Sequence, residues 1–338
     1  MTLTKMEIEK ILESNGLKKD IYHLIKYSDE IKELAIKNGN ILNRTTIINI
    51  LNKLRSEDKI IQSTSIPNFL RYAVDILGLF EEITIFDERK GETLSRYIAT
   101  YTKVSPYEIA LSLLSKSFLT HYSALYINDL TINNPKDIYI NKEQSKKYIN
   151  SSKNIKQITQ GRVDYAFSKK MRSTSTTYNF SYHKEFYRVH VLNSKNTQNT
   201  GVISVKPIGF SKQIEVTNVE RTLIDVVVRP KYSGGVKEIL ESYIRAEGKV
   251  NIDKLLDYLD KFDYAYPYHK SILFFLKYAK YDEKDIAKII LRYNDDPRNK
   301  IKFYVDYQIV NRKLDEETGV YYPKILDVYK NEKLDDEA

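Results

Sequence analysis

The chain has 338 residues, 42% of them hydrophobic, and a formal net charge of +9, which is typical of about two globular domains. It contains no Cys, which excludes disulfides, thiolate zinc sites and thiol nucleophiles and favours a reducing compartment. The first ten residues lack the apolar core of a signal peptide, and no run approaches the roughly 20 apolar residues of a membrane span, so we expect a cytoplasmic protein with no membrane partner.

The first hundred residues are predicted to form a helical module. A capping box at residues 4–7 predicts a first helix. Short helices with apolar residues at helical spacing follow at residues 21–25 and from Ser28. The next helix is predicted to begin at Asn43. Its buried stripe would be formed by Ile47, Ile50, Leu51 and Leu54.

Two short helices joined by a tight turn at Gly39 are typical of a helix-turn-helix. Residues 59–63 are predicted to begin a wing strand, so we expect residues 1–96 to form a winged helix-turn-helix DNA-binding domain. The side chains predicted to face outward from residues 43–55 are Arg44, Thr45, Thr46, Asn49, Asn52 and Lys53. Arg and Lys can contact guanine or phosphate, and Asn can pair with adenine in the major groove. We therefore predict a recognition helix at residues 43–55, although an ordinary amphipathic surface helix would carry the same polar residues.

A domain boundary is predicted within residues 90–103, with residues 97–338 forming the second domain. Before this boundary, residues 65–78 have helical character and residues 83–86 fit a strand. Residues 87–91 are predicted to form an exposed turn.

The second domain is predicted to combine helices with a sheet. Helices are expected at residues 105–114 and 117–130. Segments rich in β-branched and aromatic residues predict strands at residues 137–141, 162–167, 186–192 and 202–207. The whole chain is therefore expected to be α+β, with a helical winged helix-turn-helix module followed by a mostly antiparallel sheet and C-terminal helices.

Positive charge is concentrated in the middle of the chain. Residues 102–232 hold 20 basic and 9 acidic side chains, a net +11, which leaves −2 for the remainder. We expect an acidic partner here, and nucleic-acid phosphate is the commonest one. An acidic protein surface and a merely solvated face are the alternatives. The residues that we assign to DNA contact in this region are Lys146, Lys147, Lys169, Lys170 and Arg172.

The residues after 217 are predicted to form successive helices, the first opened by a capping box at residues 217–220. On this helix Arg221, Asp225 and Arg229 recur every fourth residue and so lie on one side. This ladder is interpreted either as an intramolecular ion-pair network, which we favour, or as an arginine fork presented to an acidic toxin surface or a phosphate. His121 is interpreted as a core or helix-end histidine bonded to backbone.

Several blocks of the sequence resemble the AbiEi family of antitoxins. The blocks similar to its C-terminal region are TNVERTLIDVVVRPKYSGGVKEIL, NIDKLLDYL and YPYHKSILFFLKYA, and those similar to its central region are SPYEIALSLLSKSFLTHYSALYINDLT and PKDIYIN. FYVDYQIVN and YYPKIL resemble its tail, so the resemblance spans residues 97–326, whereas the residues before it match the family only in pattern.

This resemblance implies a transcriptional regulator and antitoxin of a type IV toxin-antitoxin system, which acts in abortive infection as a phage defence. It also implies a winged helix at the N-terminus. The implied partners are promoter DNA, which the regulator represses, and a nucleotidyltransferase toxin that is countered without a stable complex. The oligomeric state is left open.

Catalytic motifs are absent from the sequence. It contains no P-loop, no His-Glu-x-x-His, no nucleophile elbow and no dinucleotide fingerprint. We therefore expect no enzymatic activity, no cofactor and no resident metal. The alternative is a Mg²⁺-dependent nuclease of the restriction-endonuclease kind, for which Asp164, Lys206 and Glu215 are the available residues on the predicted sheet.

Overall fold

The structure is a computed structural model that describes residues 19–146 and 158–331, together with residues 6 and 10. Over this part of the chain the fold is α+β, with a mixed sheet of nine strands and a small sheet of three. The capping box predicted at residues 4–7 lies outside the described residues.

Helices precede, interrupt and follow the strands. The helices, in chain order, are α1 (Lys19–Lys26), α2 (Ser28–Lys37), α3 (Arg44–Ser56), α4 (Ile66–Arg71, continued by a π-helical turn over Tyr72–Ile76), α5 (Pro106–Leu111), α6 (His121–Ile127), α7 (Gln160–Phe167), α8 (Val219–Val228), α9 (Val236–Ala246), α10 (Ile252–Phe262), α11 (Tyr268–Tyr278), α12 (Glu283–Arg292) and α13 (Val328–Asn331). Short 3₁₀ turns occupy Pro230–Tyr232, Pro297–Lys300 and Lys324–Asp327.

The strands are short and spread over the whole chain. In chain order they are β1 (Ile41–Leu42), β2 (Phe80–Asp87), β3 (Glu92–Ala99), β4 (Phe118–Leu119), β5 (Asp137–Asn141), β6 (Thr177–Tyr182), β7 (Glu185–Leu192), β8 (Val202–Val205), β9 (Ile214–Thr217), β10 (Phe303–Tyr304), β11 (Arg312–Asp315) and β12 (Val320–Pro323).

The chain divides into two compact units, neither of which is one continuous segment. The N-terminal unit comprises residues 1–115, 176–189 and 206–214, and the C-terminal unit comprises the remaining residues. The division into residues 1–96 and 97–338 stays a prediction.

The N-terminal unit contains helices α1 to α5 and an antiparallel group of strands. β2 pairs with β3 over their full lengths, β1 pairs with β3, and β6 pairs with β2. Apolar stripes of α1 to α4 form its core together with Phe80 and Tyr97 from the sheet. The stripe predicted for α3 is confirmed, since Ile47, Ile50, Leu51 and Leu54 are all buried.

The predicted wing strand at residues 59–63 is wrong, because these residues form turns between α3 and α4. Side chains hold the connection in this shape. The Lys59 ammonium pairs with Glu30 and Glu57, the Gln62 amide donates to the Arg55 carbonyl at 2.8 Å, and the Arg55 guanidinium donates to the Thr64 carbonyl. The hairpin of this unit is instead formed by β2 and β3.

The C-terminal unit is built around a large helical core. α8 is buried on nearly every side, and α9, α10 and α11 pack against it. Its strands include β4, which pairs in antiparallel with β5 and in parallel with β9. The sheet is therefore mixed rather than uniformly antiparallel. The small second sheet has the order β10-β12-β11.

The strand predicted at residues 162–167 is wrong, because these residues belong to helix α7. Its composition is β-like, but its buried residues, Val163 and Phe167, are four apart as in a helix. The Gln160 amide also donates to the Asp164 carboxylate at 2.8 Å across one helical turn. Buried spacing and this local hydrogen bond therefore outweigh the β propensity of the segment.

The start of α8 was predicted one residue too early. Asn218 is the cap, and its side-chain oxygen accepts from the Arg221 amide at 3.1 Å. Thr217 is the last residue of β9, so its hydroxyl bonds with Thr222 instead. The Glu220 carboxylate pairs with Lys254 rather than closing a capping box. Among the described residues, no helix is both long enough and apolar enough to cross a membrane.

Candidate nucleic-acid interface

Helix α3 presents polar and basic side chains on the side opposite its buried stripe. Arg44, Thr45, Asn49, Asn52 and Lys53 are exposed, and Thr46 is half-buried. Because the buried stripe is fixed in the core, the direction in which this face points is fixed as well.

Two of the predicted DNA-contacting residues of α3 also have structural roles. The Asn43 side-chain oxygen accepts from the Thr46 amide at 2.9 Å and from its hydroxyl at 3.1 Å, which caps the helix. The Asn52 side-chain oxygen accepts from the Arg55 guanidinium at 3.0 Å. Thr46 therefore stabilises the helix start, and Asn52 would have to leave Arg55 in order to read a base.

Helix α4 offers a second polar face that the sequence analysis did not single out. The Ser65 hydroxyl accepts from the Asn68 amide at 3.3 Å and caps the helix, with Pro67 in its first turn. Phe69 is buried in the unit core, whereas Asn68 and Arg71 are exposed. Ser65 followed by Pro67 is the sequence signal for this helix start.

Those basic residues predicted in the C-terminal unit that the structure describes are all exposed. Lys146 lines a cavity of about 280 Å³ together with Lys195 and Lys261. Lys169 and Lys170 follow α7 and are exposed. Lys147 lies outside the described residues.

Arg172 belongs to a different cationic cluster. Its backbone carbonyl accepts from the Arg229 guanidinium at 3.3 Å. The ammonium of Lys231 donates to the hydroxyl of the adjacent Ser173 at 3.4 Å. The cations of residues 229 and 231 therefore lie beside Arg172, although more than 50 residues separate them in the sequence.

The ladder on α8 divides into a buried and an exposed part. Arg221 is 2% exposed, and its guanidinium lies 3.5 Å from Asp225 and 3.1 Å from Glu143. The favoured interpretation as an intramolecular ion-pair network is confirmed for these residues. Arg229 is exposed at the end of the helix and remains accessible to a partner.

The carboxylates of the nuclease alternative occupy dissimilar positions. Asp164 lies on helix α7, where its carboxylate accepts from the Gln160 amide and from the Tyr304 hydroxyl, both at 2.8 Å. Glu215 is exposed on β9. The nuclease interpretation requires Asp164 to lie on a strand, and it lies on a helix instead. Among the described residues, no group of three or more His, Asp or Glu side chains is placed to hold a metal ion.

A scan against protein-family models gives no match, and a search of curated proteins gives none either. Among solved structures, the chain is similar to the crystal structure of the RV2827C protein from Mycobacterium tuberculosis, with a TM-score of 0.54 and 11% sequence identity. The similarity covers 90% of this chain and 93% of that chain. At this low identity, the likeness is one of fold alone.

Proposed function

We propose that the chain is a cytoplasmic DNA-binding repressor and the antitoxin of a type IV toxin-antitoxin system, and that it acts by binding and performs no covalent chemistry. The observation that carries the DNA-binding part is the order of elements in the N-terminal unit. Helix α2, strand β1, helices α3 and α4, and the hairpin β2–β3 follow one another, and β1 pairs with β3. This order is typical of a winged helix-turn-helix and supports the proposal.

This order changes the assignment of the base-reading helix. In a helix-turn-helix the first helix crosses the DNA backbone and the second enters the major groove. α3 is the first helix of the pair and α4 is the second. We therefore propose that Asn68 and Arg71 read bases, and that the exposed α3 residues Arg44, Thr45 and Lys53 contact phosphates.

The turn between β2 and β3 is the proposed wing. Arg89 and Lys90 are exposed at its tip, and the Asp87 carboxylate accepts from both of their backbone amides, at 3.0 and 3.1 Å. This carboxylate fixes the shape of the turn and leaves the two cationic side chains directed to solvent. They are suited to phosphate contact beside the groove.

The remaining parts of the proposal rest on charge and on the resemblance to the AbiEi family. The exposed cations assigned to DNA contact in the C-terminal unit, including Lys146, Lys169 and Lys170, would add phosphate contacts. The toxin to be countered would be a nucleotidyltransferase, and no stable complex with it is required. The nuclease alternative needs its carboxylates on strands, so it loses support because Asp164 lies on helix α7.

The experiment is a gel-shift titration of the full chain on the DNA upstream of its own gene and on a scrambled duplex, at two salt concentrations. We expect preference for the native sequence, with affinity falling steeply as salt rises. The double change Lys146→Glu, Lys147→Glu should lower the affinity for both duplexes by the same factor. Equal affinity for both duplexes, or cleavage of either when Mg²⁺ is added, would overturn the proposal.

The antitoxin part has its own test. The protein encoded next to this gene is induced alone and then together with this chain, and growth is followed. We expect growth arrest by the neighbour and relief by this chain, while affinity purification recovers no stable complex. Growth arrest that this chain fails to relieve would contradict the antitoxin role and leave DNA binding unaffected.

A further inference from the structure

The C-terminal unit contains a cavity of about 520 Å³, a volume within the range of about 300–1,000 Å³ that is typical of small-molecule sites. It lies among the end of β7, the loop after it, α8, and the end of α10 with the loop that follows. Among the described residues, the cationic ones that line it are Arg172, Lys195, Arg221 and Arg229, against one lining carboxylate, Asp225. This excess of positive charge is suited to an anionic ligand.

The cations of the cavity differ in their availability. Arg221 is held by Glu143 and Asp225 inside the unit, so its charge is largely compensated. Arg172, Lys195 and Arg229 are exposed. The Lys195 ammonium donates to the Phe262 carbonyl at 3.3 Å, which holds its charge beside the cavity. Three cations can therefore converge on one anionic group, and two of them are guanidiniums suited to bidentate contact with phosphate.

A buried histidine in the wall of the cavity has an acceptor without a partner. His121 is 7% exposed and lines the cavity. The Thr120 hydroxyl donates its proton to Asp225 at 2.9 Å, so it must accept from His121 Nδ1, which lies 3.0 Å away. The proton is then on Nδ1 and the lone pair is on Nε2. Nε2 is buried without a hydrogen-bond partner among the described residues, so a donor from the cavity reaches it only when the side chains that cover it move.

A buried acceptor without a partner raises the free energy of the folded protein, and a hydrogen-bond donor on a bound ligand would remove this cost. The backbone of His121 is also held in the left-handed region, at φ +52°, where a non-glycine residue is strained. Burial lowers the pKa of this imidazole to about 4, so it stays neutral near pH 7 and Nε2 remains an acceptor. A hydroxyl or amino group of a ligand would satisfy it.

Aromatic side chains supply a surface for a flat group. Tyr232, Phe262 and Tyr264 line the cavity, and the Tyr232 ring meets the His121 imidazole edge-on, with centroids 5.5 Å apart. Any nucleobase can stack on an aromatic ring, because every base has a flat π-face. The same cavity thus combines phosphate-binding cations, aromatic side chains in its wall and an acceptor for a hydroxyl or amine.

We propose that this cavity binds a nucleoside phosphate. Its phosphate lies against Arg172, Lys195 and Arg229. Its base or sugar contacts the aromatic wall and donates to His121 Nε2. The site shares Arg172 with the residues assigned to DNA contact. Lys195, Arg229 and His121 are not among those residues, so changes at these three test the cavity separately from the DNA-binding function.

The test is calorimetric titration of the full chain with the 5′-monophosphates of adenosine, guanosine, cytidine and uridine. Inorganic phosphate and the four nucleosides are the reference ligands. We expect at least one nucleotide to bind about tenfold or more tightly than inorganic phosphate and than its own nucleoside. Equal or weaker binding of all four nucleotides would overturn the proposal.

Variants locate the site. Arg229→Gln and Lys195→Gln replace exposed side chains and should each weaken the best nucleotide about tenfold, whereas Arg245→Gln, at an exposed position on α9 outside the cavity, should not. His121→Phe keeps a ring but removes the acceptor, so it should weaken the nucleotide and leave inorganic phosphate unchanged. Nucleotide affinity that survives both the Arg229 and the Lys195 change would place the ligand elsewhere.

A free nucleotide and the end of a nucleic acid share this chemistry, so a second titration distinguishes them. A 5′-phosphorylated single-stranded oligonucleotide is compared with its dephosphorylated form. Tighter binding of the phosphorylated oligonucleotide than of any free nucleotide, lost in Arg229→Gln, would assign the cavity to strand ends. Gel shifts of Arg229→Gln on the native duplex should match those of the unchanged protein, which separates this site from the repressor function.

Discussion

Arg221 and Glu143 form a buried ion pair in which the guanidinium and the carboxylate oxygen are 3.1 Å apart and the two side chains are 3% and 5% exposed. The carboxylate also accepts from the backbone amides of Thr197 and Asn199, at 2.7 and 3.1 Å. Burial alone would raise the pKa of Glu143. The hydrogen bond from the Thr197 hydroxyl, those from the two amides and the charge of Arg221 together outweigh burial, and the pKa is lowered.

We expect Arg221→Met to destabilise the C-terminal unit by about 3–5 kcal/mol, because it leaves the Glu143 carboxylate buried without its cation. Urea unfolding followed by circular dichroism measures this change. Combining it with Glu143→Gln should recover part of the loss, since the second change removes the unpaired charge. Arg245→Met, at an exposed position on α9, is the control. A loss below about 1 kcal/mol for Arg221→Met would contradict a tightly coupled pair.

A side chain at Gly201 is predicted to lower the free energy of unfolding more than a side chain at Gly248. Its φ is +73°, and an added Cβ would lie 2.8 Å from the Arg221 Cβ and 2.8 Å from the Tyr258 ring. Gly248 has a similar φ of +75° but open space around it. Each Gly→Ala change incurs the left-handed strain of about 1–2 kcal/mol. Gly201→Ala should cost about 1–3 kcal/mol more, owing to the clash. Equal losses in urea unfolding would show that the backbone around Gly201 relaxes freely.

His121 should make stability depend on pH. Burial is the main cause that lowers its pKa to about 4; Arg229 and Arg221 act in the same direction and Asp225 opposes them. Since the unfolded chain has a histidine pKa of about 6.5, the unfolded state binds the proton more tightly. The stability that neutral His121 contributes is therefore fully present above pH 6.5. It is lost as the pH falls from 6.5 towards 4, and the loss is on the order of 3 kcal/mol.

The free energy of unfolding measured between pH 4 and 7 tests this dependence. His121→Phe should flatten the profile in this window. An unchanged slope in His121→Phe would assign the titration to other groups.

Local elements of this fold could be predicted because their signals lie close together in the sequence. The apolar spacing of Ile47, Ile50 and Leu54 fixes a helix and its buried side, and all three are buried. The same reasoning is wrong at residues 162–167, because this short segment with β-branched and aromatic residues fits both the helical and the strand spacing of buried residues. Its helix is decided by packing in the unit core, which a single sequence does not reveal.

The cavity and the buried ion pair could not be predicted, because their parts are distant in the sequence. Glu143 and Arg221 are 78 residues apart. Lys195 and Arg229 reach the same cavity from a loop and a helix end. Charge counting located the basic region but could not show which cations are paired internally. Arg221 is compensated by carboxylates, whereas Arg229 is exposed, although both lie on one predicted ladder.

The Asn43 cap provides a stability test that separates folding from DNA contact. Its side chain accepts from the Thr46 amide at the start of α3, so Asn43→Ala should cost about 1 kcal/mol of unfolding free energy. Asn49→Ala, at an exposed position of the same helix, should change stability by less than about 0.5 kcal/mol. Comparable destabilisation by both changes would mean that Asn49 has a structural partner in solution.

The base-reading helix is decided by comparing changes on α4 with changes on α3. Asn68→Ala and Arg71→Ala should lower the preference for the native duplex over a scrambled one by about 1–3 kcal/mol, because base contacts carry specificity. Arg44→Ala should weaken both duplexes alike and reduce the dependence of log affinity on log salt by about 0.9, as expected for one lost phosphate contact. Both effects are read from gel shifts at several salt concentrations. If Asn49→Ala abolished sequence preference while Asn68→Ala and Arg71→Ala kept it, α3 would be the recognition helix, and the module would dock on DNA by a geometry other than that of a helix-turn-helix.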